Sequence, residues 1–464
     1  MIEQNNISFW VKSLAAIESP LLSLAGAQSL PPHPTFDIAI VGGGLTGLWL
    51  AYYLQQAEPD LSIAIFEKEQ VGFGASGRNG GWLSREVPIE VKPLLKRAGI
   101  TETDIAALYD AMEEAVSEVI RVTETEGIEC DIAMGGVLTI ATNPAQQARL
   151  SADELRKSES LLSKAAVRSR INIPSAIAGH YDAVGARIHP LKLLLGLKQL
   201  LLARGIKIYE HRKVSSISSG ALMVWEGIDE IEVYASKIVS CTEAYSQPLL
   251  RNRKVIPVNS SIIVTEVISA ARWEKIGWEQ CELLADDAHL FFYAQRTFDD
   301  RILIGGRGSP YQFGGKDAGN GTLDSKTQAQ LLARLHALFP WEDFRIEYAW
   351  RGSIGVTRDW CATVTYDALS GLGQIFGFVG SGVTTTNLAA RTMADRLLGR
   401  RSTFTKLPWN DHDNPCWEPE PLRWIAIQSM YQLLGYADSL EMKRQLTDTA
   451  YIAKLTYKIC GQGY

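Results

Sequence analysis

A glycine cluster set between two apolar runs constrains the fold of this chain more than any other feature. Phe36 to Val41 (FDIAIV) is short, apolar and rich in strand formers, so it reads as a buried strand. Gly42-Gly43-Gly44-Leu45-Thr46-Gly47 turns the chain, and Leu45 to Gln56 then carries apolar residues at helical spacing. Pro59-Asp60 stops that helix, and Leu61 to Phe66 (LSIAIF) is a second apolar strand that ends at Glu67. Together these form a βαβ unit of about 30 residues, the setting in which G-x-G-x-x-G carries meaning. Gly42 permits the tight turn, Gly44 lets backbone approach a pyrophosphate, and Gly47 lets helix and sheet pack closely. The helix N-terminus offers unpaired N–H groups and the positive end of its dipole to phosphate. Glu67 follows Gly47 by about 20 residues, placed to accept hydrogen bonds from ribose hydroxyls, and its charge repels a 2′-phosphate. The unit predicts a dinucleotide site that disfavours NADP.

A second glycine-rich segment decides which dinucleotide. Gly72-Phe73-Gly74-Ala75-Ser76-Gly77-Arg78-Asn79-Gly80-Gly81 has five glycines in ten residues, which frees the backbone to lie against a flat or anionic ligand. A nicotinamide enzyme has no need of such a segment, whereas a flavin has. The competing reading is a flexible loop; Arg78 and Asn79, fixed between glycines, favour the flavin.

The remainder of the chain reads as a mixture. Thr103 to Glu126 and Pro144 to Ala166 have the pattern of amphipathic helices, with Gly136 to Ala141 a strand between them. His189 to Arg204 is a Leu-rich helix, and Ile206 to Ile217 and Ile231 to Cys241 alternate like strands. The runs VIPVNSSIIVTEV, HLFFYAQ and RILIGG between Val255 and Gly306 predict a mostly antiparallel second sheet. Ile375 to Val379 returns as an apolar strand, followed by Gly380, Gly382 and a helix through Leu398. The expected fold class is therefore α/β with α+β character. A discontinuous Rossmann-like FAD-binding domain takes 36–90, 180–250 and 350–405, and an inserted, mostly antiparallel substrate domain takes 91–179 and 251–349. Residues 1–35 form an N-terminal arm, and 406–464 a C-terminal helical tail.

Composition removes several alternatives. The 464 residues exceed one simple core and fit two interlocked domains. A net charge of -6 argues against a nucleic-acid binder, which needs a basic footprint. Cys130, Cys241, Cys281, Cys361, Cys416 and Cys460 are scattered, with no CxxC pair or adjoining His cluster, so neither a disulfide framework nor a metal site is expected and a reducing cytoplasm is the default. Ser13 to Ala27 has a faint likeness to a secretory signal, but Glu18 interrupts it and Glu3 leaves the start without basic character. It reads as an arm packed on the body, and no run approaches the ~20 apolar residues of a membrane span.

Three stretches carry a family resemblance: DIAIVGGGLTGLWLAYYL from Asp37, IFEKEQVGFGASGRNGGW from Ile65, and FGFVGSGVTTTNLAARTMADRLLG from Phe376. Together they resemble the D-amino-acid-oxidase/glycine-oxidase superfamily of FAD-dependent oxidoreductases, within it the gamma-glutamylputrescine-oxidase-like amine oxidoreductases. The resemblance implies that Gly42, Gly44, Leu45, Thr46 and Gly47 take the pyrophosphate, and that Glu67 with Lys68 takes the adenosine ribose. It implies that Gly74, Ala75, Ser76, Arg78, Asn79, Gly80 and Gly81 border the pyrophosphate and inner flavin, and that Val214 pairs its backbone with adenine. Thr242 and Gly352 complete that side of the implied cofactor set, and Gly380, Gly382, Val383, Thr384 and Thr385 face the flavin's O2 edge. A helix beginning near Thr386 would aim its positive end the same way, stabilising the reduced, anionic flavin.

The chain also departs from its relatives. Sarcosine-oxidase-like members hold a substrate carboxylate with a Lys after a G-H-G motif, and here Thr384 stands at the Lys position and Ser381 at the His. The strand Trp350 to Gly355 and the segment before Glu67 lack the Cys or His of covalent members, so FAD is expected to be non-covalent. Substrate-pocket candidates are Tyr293, Arg296, Arg307, Trp350, Arg351 and Thr384, with Gln295, Arg358, Asp359 and Trp360 nearby in sequence. Covering a sheet face or forming an ion pair is the competing role for each of them. His189 and His289 are expected to be structural, and no catalytic residue is assigned. The expected activity is hydride transfer from the carbon next to nitrogen of a small amine or amino acid, with oxygen or a carrier as electron acceptor. Two alternatives stay open. One is an amino-acid dehydrogenase feeding a membrane carrier, for which the aromatic segment Trp417 to Tyr436 is the candidate contact. The other is a flavin-dependent maturation partner that oxidises another protein.

Overall fold

The facing of side chains along the first strand shows how the nucleotide half is layered. The computed structural model describes residues 8–23, 29–97, 99–152, 155–250, 252–306 and 310–460. In it, Thr35–Val41 runs parallel between Ile63–Phe66 and Asp229–Ser240. Ile38 and Ile40 enter a cluster with Leu48, Leu194 and Leu388, while Ala39 and Val41 enter another with Leu222, Val224 and Val233. Successive strand side chains point to opposite faces, so a strand apolar at every position is one buried on both. Lys207–Tyr209 and Leu372–Phe376 extend the parallel run at its two sides. Helices Leu45–Ala57, Glu102–Thr125, Pro190–Ala203 and Gly382–Leu397 cover one face, and the antiparallel ribbon Val214–Ser218 with Ala221–Glu226 packs on the other. This is the Rossmann-like, mixed α/β arrangement expected from the sequence.

The second sheet has eight strands, in the order Ile346–Thr357, Val255–Thr265, Ile302–Gly306, Tyr293–Arg296, Leu283–Asp286, Val137–Ala141, Ala178–Asp182, Glu159–Ser163. Only Leu283–Asp286 with Val137–Ala141 is parallel; the other neighbours are antiparallel, as expected. Helices Ala270–Ile276 and Ser325–Leu338 pack on it around Trp278, Phe339 and Phe344. Ile346–Thr357 pairs with Val255–Thr265 along its length, so residues 350–357, grouped from sequence with the nucleotide segments, sit in this sheet. A short third sheet of Trp82–Ser84, Gly185–Arg187 and Ala133–Met134 joins the halves.

Two expected elements are corrected. Pro144 to Ala166 is not one helix but the helix Pro144–Leu150, the edge strand Glu159–Ser163, and the helix Lys164–Arg170. Asn143 and Ser163 each cap a helix start through their side-chain oxygens, and the ESLLS run between them alternates and pairs with Ala178–Asp182. The late helix begins at Gly382 rather than near Thr386, because the positive φ of Gly380 turns the chain straight into it.

The arm and the tail both dock. Helix Phe9–Ala16 buries Phe9, Trp10 and Leu14 in the main core, while residues 24–27 of the same apolar stretch lie outside the described residues. Helix Leu422–Arg444 buries Ile427, Leu434 and Ala437, and Glu441 accepts from His289 Nε2 at 2.9 Å, tying the tail to the second sheet. Among the described residues, no helix is long and apolar enough to cross a membrane.

Candidate cofactor and substrate cavity

One cavity of about 1380 Å³ runs from the fingerprint glycines, between the two sheets, to the strand Ala178–Asp182. That exceeds the roughly 300–1,000 Å³ of ordinary small-molecule sites, leaving room for a dinucleotide and a substrate together. Its wall is built at the carboxyl ends of the parallel strands, where open α/β sheets bind ligands. Gly42 has φ +112, and a Cβ there would lie 2.6 Å from the Cys241 carbonyl oxygen. At Gly47 a Cβ would come within 2.1 Å of the Gly42 carbonyl, so glycine is required for the helix to start where it does.

The structure brings most of the expected cofactor set to this wall. Gly42, Gly44, Leu45, Thr46, Glu67 and Lys68 line it at the first turn; Gly74, Ala75, Ser76, Arg78, Asn79 and Gly80 follow; Val214, Thr242 and Gly352 complete one side. Gly380, Gly382, Val383 and Thr384 bring in the start of the late helix, whose first-turn N–H groups have no partner within the helix. Gly47, Gly81 and Thr385 stand behind the wall rather than in it: Gly47 packs the helix, and Thr385 Oγ1 bonds back to Ser381. Glu67 Oε2 accepts from Gly43 N at 2.8 Å and Oε1 from Glu69 N at 3.0 Å. Burial pushes its carboxyl above the usual range, and these two donors oppose that.

Two further features fit a flavin dinucleotide. Arg78 is only 1% exposed; it donates to the carbonyls of Phe73 at 2.7 Å and Gly319 at 2.9 Å, yet its Nη2 has no partner among the described residues. A buried guanidinium nitrogen left unpaired is costly, and it belongs beside a ligand acceptor. Burial lowers the Arg78 pKa from its usual value, which an anion would reverse. Glu243, absent from the sequence reading, lines the cavity and holds the backbone N–H groups of Gly377 at 2.8 Å and Phe378 at 3.0 Å, fixing the turn before Gly380. Burial pushes its carboxyl up to about 7.

Charge dominates the far end. Arg85, at the end of strand Trp82–Ser84, donates through Nε to Asp182 at 2.7 Å, through Nη2 to Glu159 at 2.6 Å, and through Nη1 to Glu113. Every guanidinium nitrogen is thus committed to a carboxylate. Arg156 lies over the Tyr109 ring at 4.9 Å, near Asp110 and Glu113 at 3.6 Å each. Among the described residues the lining here has five carboxylates, Glu86, Glu90, Glu159, Asp182 and Asp286, against two guanidiniums, Arg85 and Arg156. Burial pushes Asp286 up to about 6.

The expected substrate residues divide. Tyr293 lines the cavity, its hydroxyl 2.8 Å from Ser260 Oγ and its ring edge-on to Trp82 at 6.1 Å. Thr384 lines it too, but its hydroxyl donates to the Ser84 carbonyl at 2.6 Å, so it anchors the helix and offers no charge. Arg296, Trp350 and Arg351 do not line it. Arg296 stacks on Trp273 at 4.1 Å and pairs with Asp300 at 2.6 Å; Trp350 is buried and donates to the Arg78 carbonyl at 2.9 Å; Arg351 gives its backbone N–H to Gly321. Arg307 lies outside the described residues. Gln295 donates to the Gly80 carbonyl, Arg358 pairs with Glu418 at 3.0 Å, and Asp359 with His412 at 2.6 Å, while Trp360 lines the wall. His189 caps a helix: its Nδ1 accepts from Lys192 N at 3.1 Å, and burial pushes its pKa down to about 3. Among the described residues, two three-residue groups, Asp359-Cys361-His412 and His289-Asp438-Glu441, have metal-ligand composition; within them His412 Nε2 bonds to Asp359 and His289 Nε2 to Glu441, while His412 Nδ1 has no partner.

Comparison with known proteins follows this geometry. The family model described as DAO, FAD dependent oxidoreductase, matches residues 37–396. Gamma-glutamylputrescine oxidoreductase of Escherichia coli K12 is 30% identical over 392 residues, 81% of this chain and 87% of that protein. Among solved structures, glycine oxidase from Geobacillus kaustophilus superposes with a TM-score of 0.64 at 19% identity, over 82% of this chain and 100% of its own. L-proline dehydrogenase from P. horikoshii gives 0.65 at 16% identity, over 82% and 98%. At such identities the superpositions speak for the fold alone.

Proposed function

This chain belongs to the DAO family of FAD-dependent oxidoreductases, and on that premise we propose that it takes hydride from the carbon beside nitrogen of a positively charged alkyl amine rather than of a simple amino acid. It is an FAD-dependent enzyme of amines or amino acids, and the lining of the cavity's far end carries the choice between them. Five carboxylates face two guanidiniums there, and the better buried guanidinium, Arg85, is saturated by Glu113, Glu159 and Asp182. With Thr384 uncharged and the orphan Arg78 at the cofactor wall, no uncommitted buried guanidinium among the described lining residues of the far end meets a substrate carboxylate. A carboxylate-rich wall instead concentrates cations. The relative whose name specifies gamma-glutamylputrescine supports an amine of this kind.

FAD, when bound, supplies the hydride acceptor. The protein's part is orientation, exclusion of water, and donors aimed at developing negative charge. We propose that the first turn of Gly382–Leu397 provides those donors, that Glu67 holds the ribose, and that Tyr293 and Trp82 form one side of the substrate's place. The substrate nitrogen must lose its proton before hydride leaves, so reduction should quicken as pH rises from about 6 to about 9, towards the ordinary pKa of an alkyl amine. Six unpaired cysteines support a reducing, cytoplasmic setting.

The deciding experiment is anaerobic stopped-flow reduction with alkyl amines and polyamine derivatives against sarcosine, glycine and D-alanine at matched pH. The amines are expected to bleach the flavin at least about tenfold faster, as ~1.4 kcal/mol of differential stabilisation requires. Faster bleaching by the small amino acids would overturn the amine reading.

Non-covalent attachment gives a second expected result. Cys241 and His180 both line the cavity, but burial raises the Cys241 thiol well above its usual range and so withholds the thiolate, and His180 sits at the far, substrate end. Acid precipitation should release free FAD into the supernatant. Colour that stays with the pellet would mean a covalent link.

A further inference from the structure

We propose that the N-terminal helix Phe9–Ala16 aims two backbone amides of the second glycine-rich segment at the flavin, with Trp10 as a positioning residue. The observation is a row of five consecutive carbonyls, each held by a different residue. Gly77 O accepts from Ser8 Oγ at 2.8 Å, Arg78 O from Trp350 Nε1 at 2.9 Å, and Asn79 O from Trp10 Nε1 at 2.8 Å. Gly80 O accepts from Gln295 Nε2, and Gly81 O from Ile188 N at 2.9 Å. In a planar trans peptide the carbonyl of one residue and the N–H of the next point opposite ways. Fixing the carbonyls of Arg78 and Asn79 outward therefore turns the N–H groups of Asn79 and Gly80 the other way, and both residues line the cavity.

Those two N–H groups have no hydrogen-bond partner among the described residues, whereas their neighbours do: Arg78 N donates to Ala75 O at 3.1 Å and Gly81 N to Asn79 Oδ1 at 2.8 Å. Glycine at 80 and 81 leaves this stretch free to rotate its peptide planes, so the planes are set by what grips the carbonyls. Two of the five grips come from the arm. Ser8, Phe9 and Trp10 are buried, and Trp10 packs against His189 at 4.8 Å and Trp350 at 6.5 Å. His189 Nε2 in turn meets Ser13 Oγ at 2.9 Å, which seats the helix. Burial of this arm is thus coupled to the direction of two donors beside the cofactor. Such donors stabilise the charge the flavin gains on reduction.

The inference rests on FAD occupying this cavity, and the test separates the two. Full-length Trp10→Phe keeps the ring and removes only the indole donor; Trp350→Phe removes the neighbouring grip. Trp409→Phe is the control, since its buried indole N–H reaches no carbonyl of this segment. FAD affinity by fluorescence titration, the visible spectrum and midpoint potential of the bound flavin, and the melting temperature of the FAD-free protein are measured for each. Trp10→Phe and Trp350→Phe should each weaken FAD about three- to tenfold, the loss of one hydrogen bond. Both should shift the absorption bands and lower the midpoint potential, while Trp409→Phe leaves all three unchanged. Wild-type affinity, spectrum and potential in Trp10→Phe overturn the proposal, as does a lower melting temperature with no change in the flavin. A wild-type protein that takes up no FAD would instead overturn the reading of the cavity itself.

Discussion

Glu67→Lys is expected to strip the protein of FAD. The carboxylate of Glu67 is held at the end of the second parallel strand by Gly43 N and Glu69 N, at 2.8 and 3.0 Å, and lines the cavity at the end proposed for adenosine. A lysine there removes the acceptor proposed for the ribose hydroxyls and releases both backbone donors at once. Two lost charge-assisted hydrogen bonds amount to roughly 3 to 6 kcal/mol, or about two to four decades of affinity. The flavin-to-protein absorbance ratio after gel filtration, followed by titration with FAD, measures the effect. Retention at wild-type occupancy and affinity would show that the fingerprint holds something other than the ribose of FAD.

Arg85→Met is expected to cost more stability than any other single change at the substrate end. Arg85 is 7% exposed and bridges Asp182, Glu159 and Glu113. Methionine fills much of the volume but leaves three carboxylates facing one another, with only Arg156, 3.6 Å from Glu113, as a nearby guanidinium. Breaking a buried ion network by removing one partner typically costs about 3 to 5 kcal/mol. Because the deficit is repulsion between charges, it should narrow in acid, where the carboxylates take up protons, and be fully expressed at neutral pH. Urea denaturation of the FAD-free variant across that range is the measurement. A loss below about 1 kcal/mol at neutral pH would mean that the cluster is solvated and the triple bridge is weak.

What could be read from the sequence follows the range of the interactions involved. The fingerprint was legible because its parts are local: strand, turn, helix and acid are specified within one βαβ unit, and Gly47 is explained by an atom five residues earlier. The second glycine-rich segment was legible as a ligand loop, but not as a segment gripped by Ser8, Trp10, Trp350, Gln295 and Ile188, which come from distant parts of the chain. The same limit hid Arg85. It follows a tryptophan-bearing strand and looks like any surface arginine until Glu113, Glu159 and Asp182 are brought round it. Arg296, Trp350 and Arg351 were plausible substrate contacts by residue type, but alternation along a strand gives two faces and not which one meets the cavity. Pro144 to Ala166 misled because apolar residues at helical spacing also occur across a helix, an edge strand and a second helix.

The cavity draws its walls from residues as far apart in sequence as Gly42 and Thr384, and the strand Leu372–Phe376 completes the parallel run beside Asp229–Ser240. A chain emerging from the ribosome at about 5–20 residues per second therefore makes its fingerprint many seconds before the helix that must face it exists. During that interval Phe36–Val41 and its neighbours have their strand and first helix but no closing side, and no complete place for the cofactor. Capture of FAD is consequently delayed until the helix Gly382–Leu397 has been made. Polypeptides that stop before about residue 386 should accumulate without colour, however intact their glycine motif.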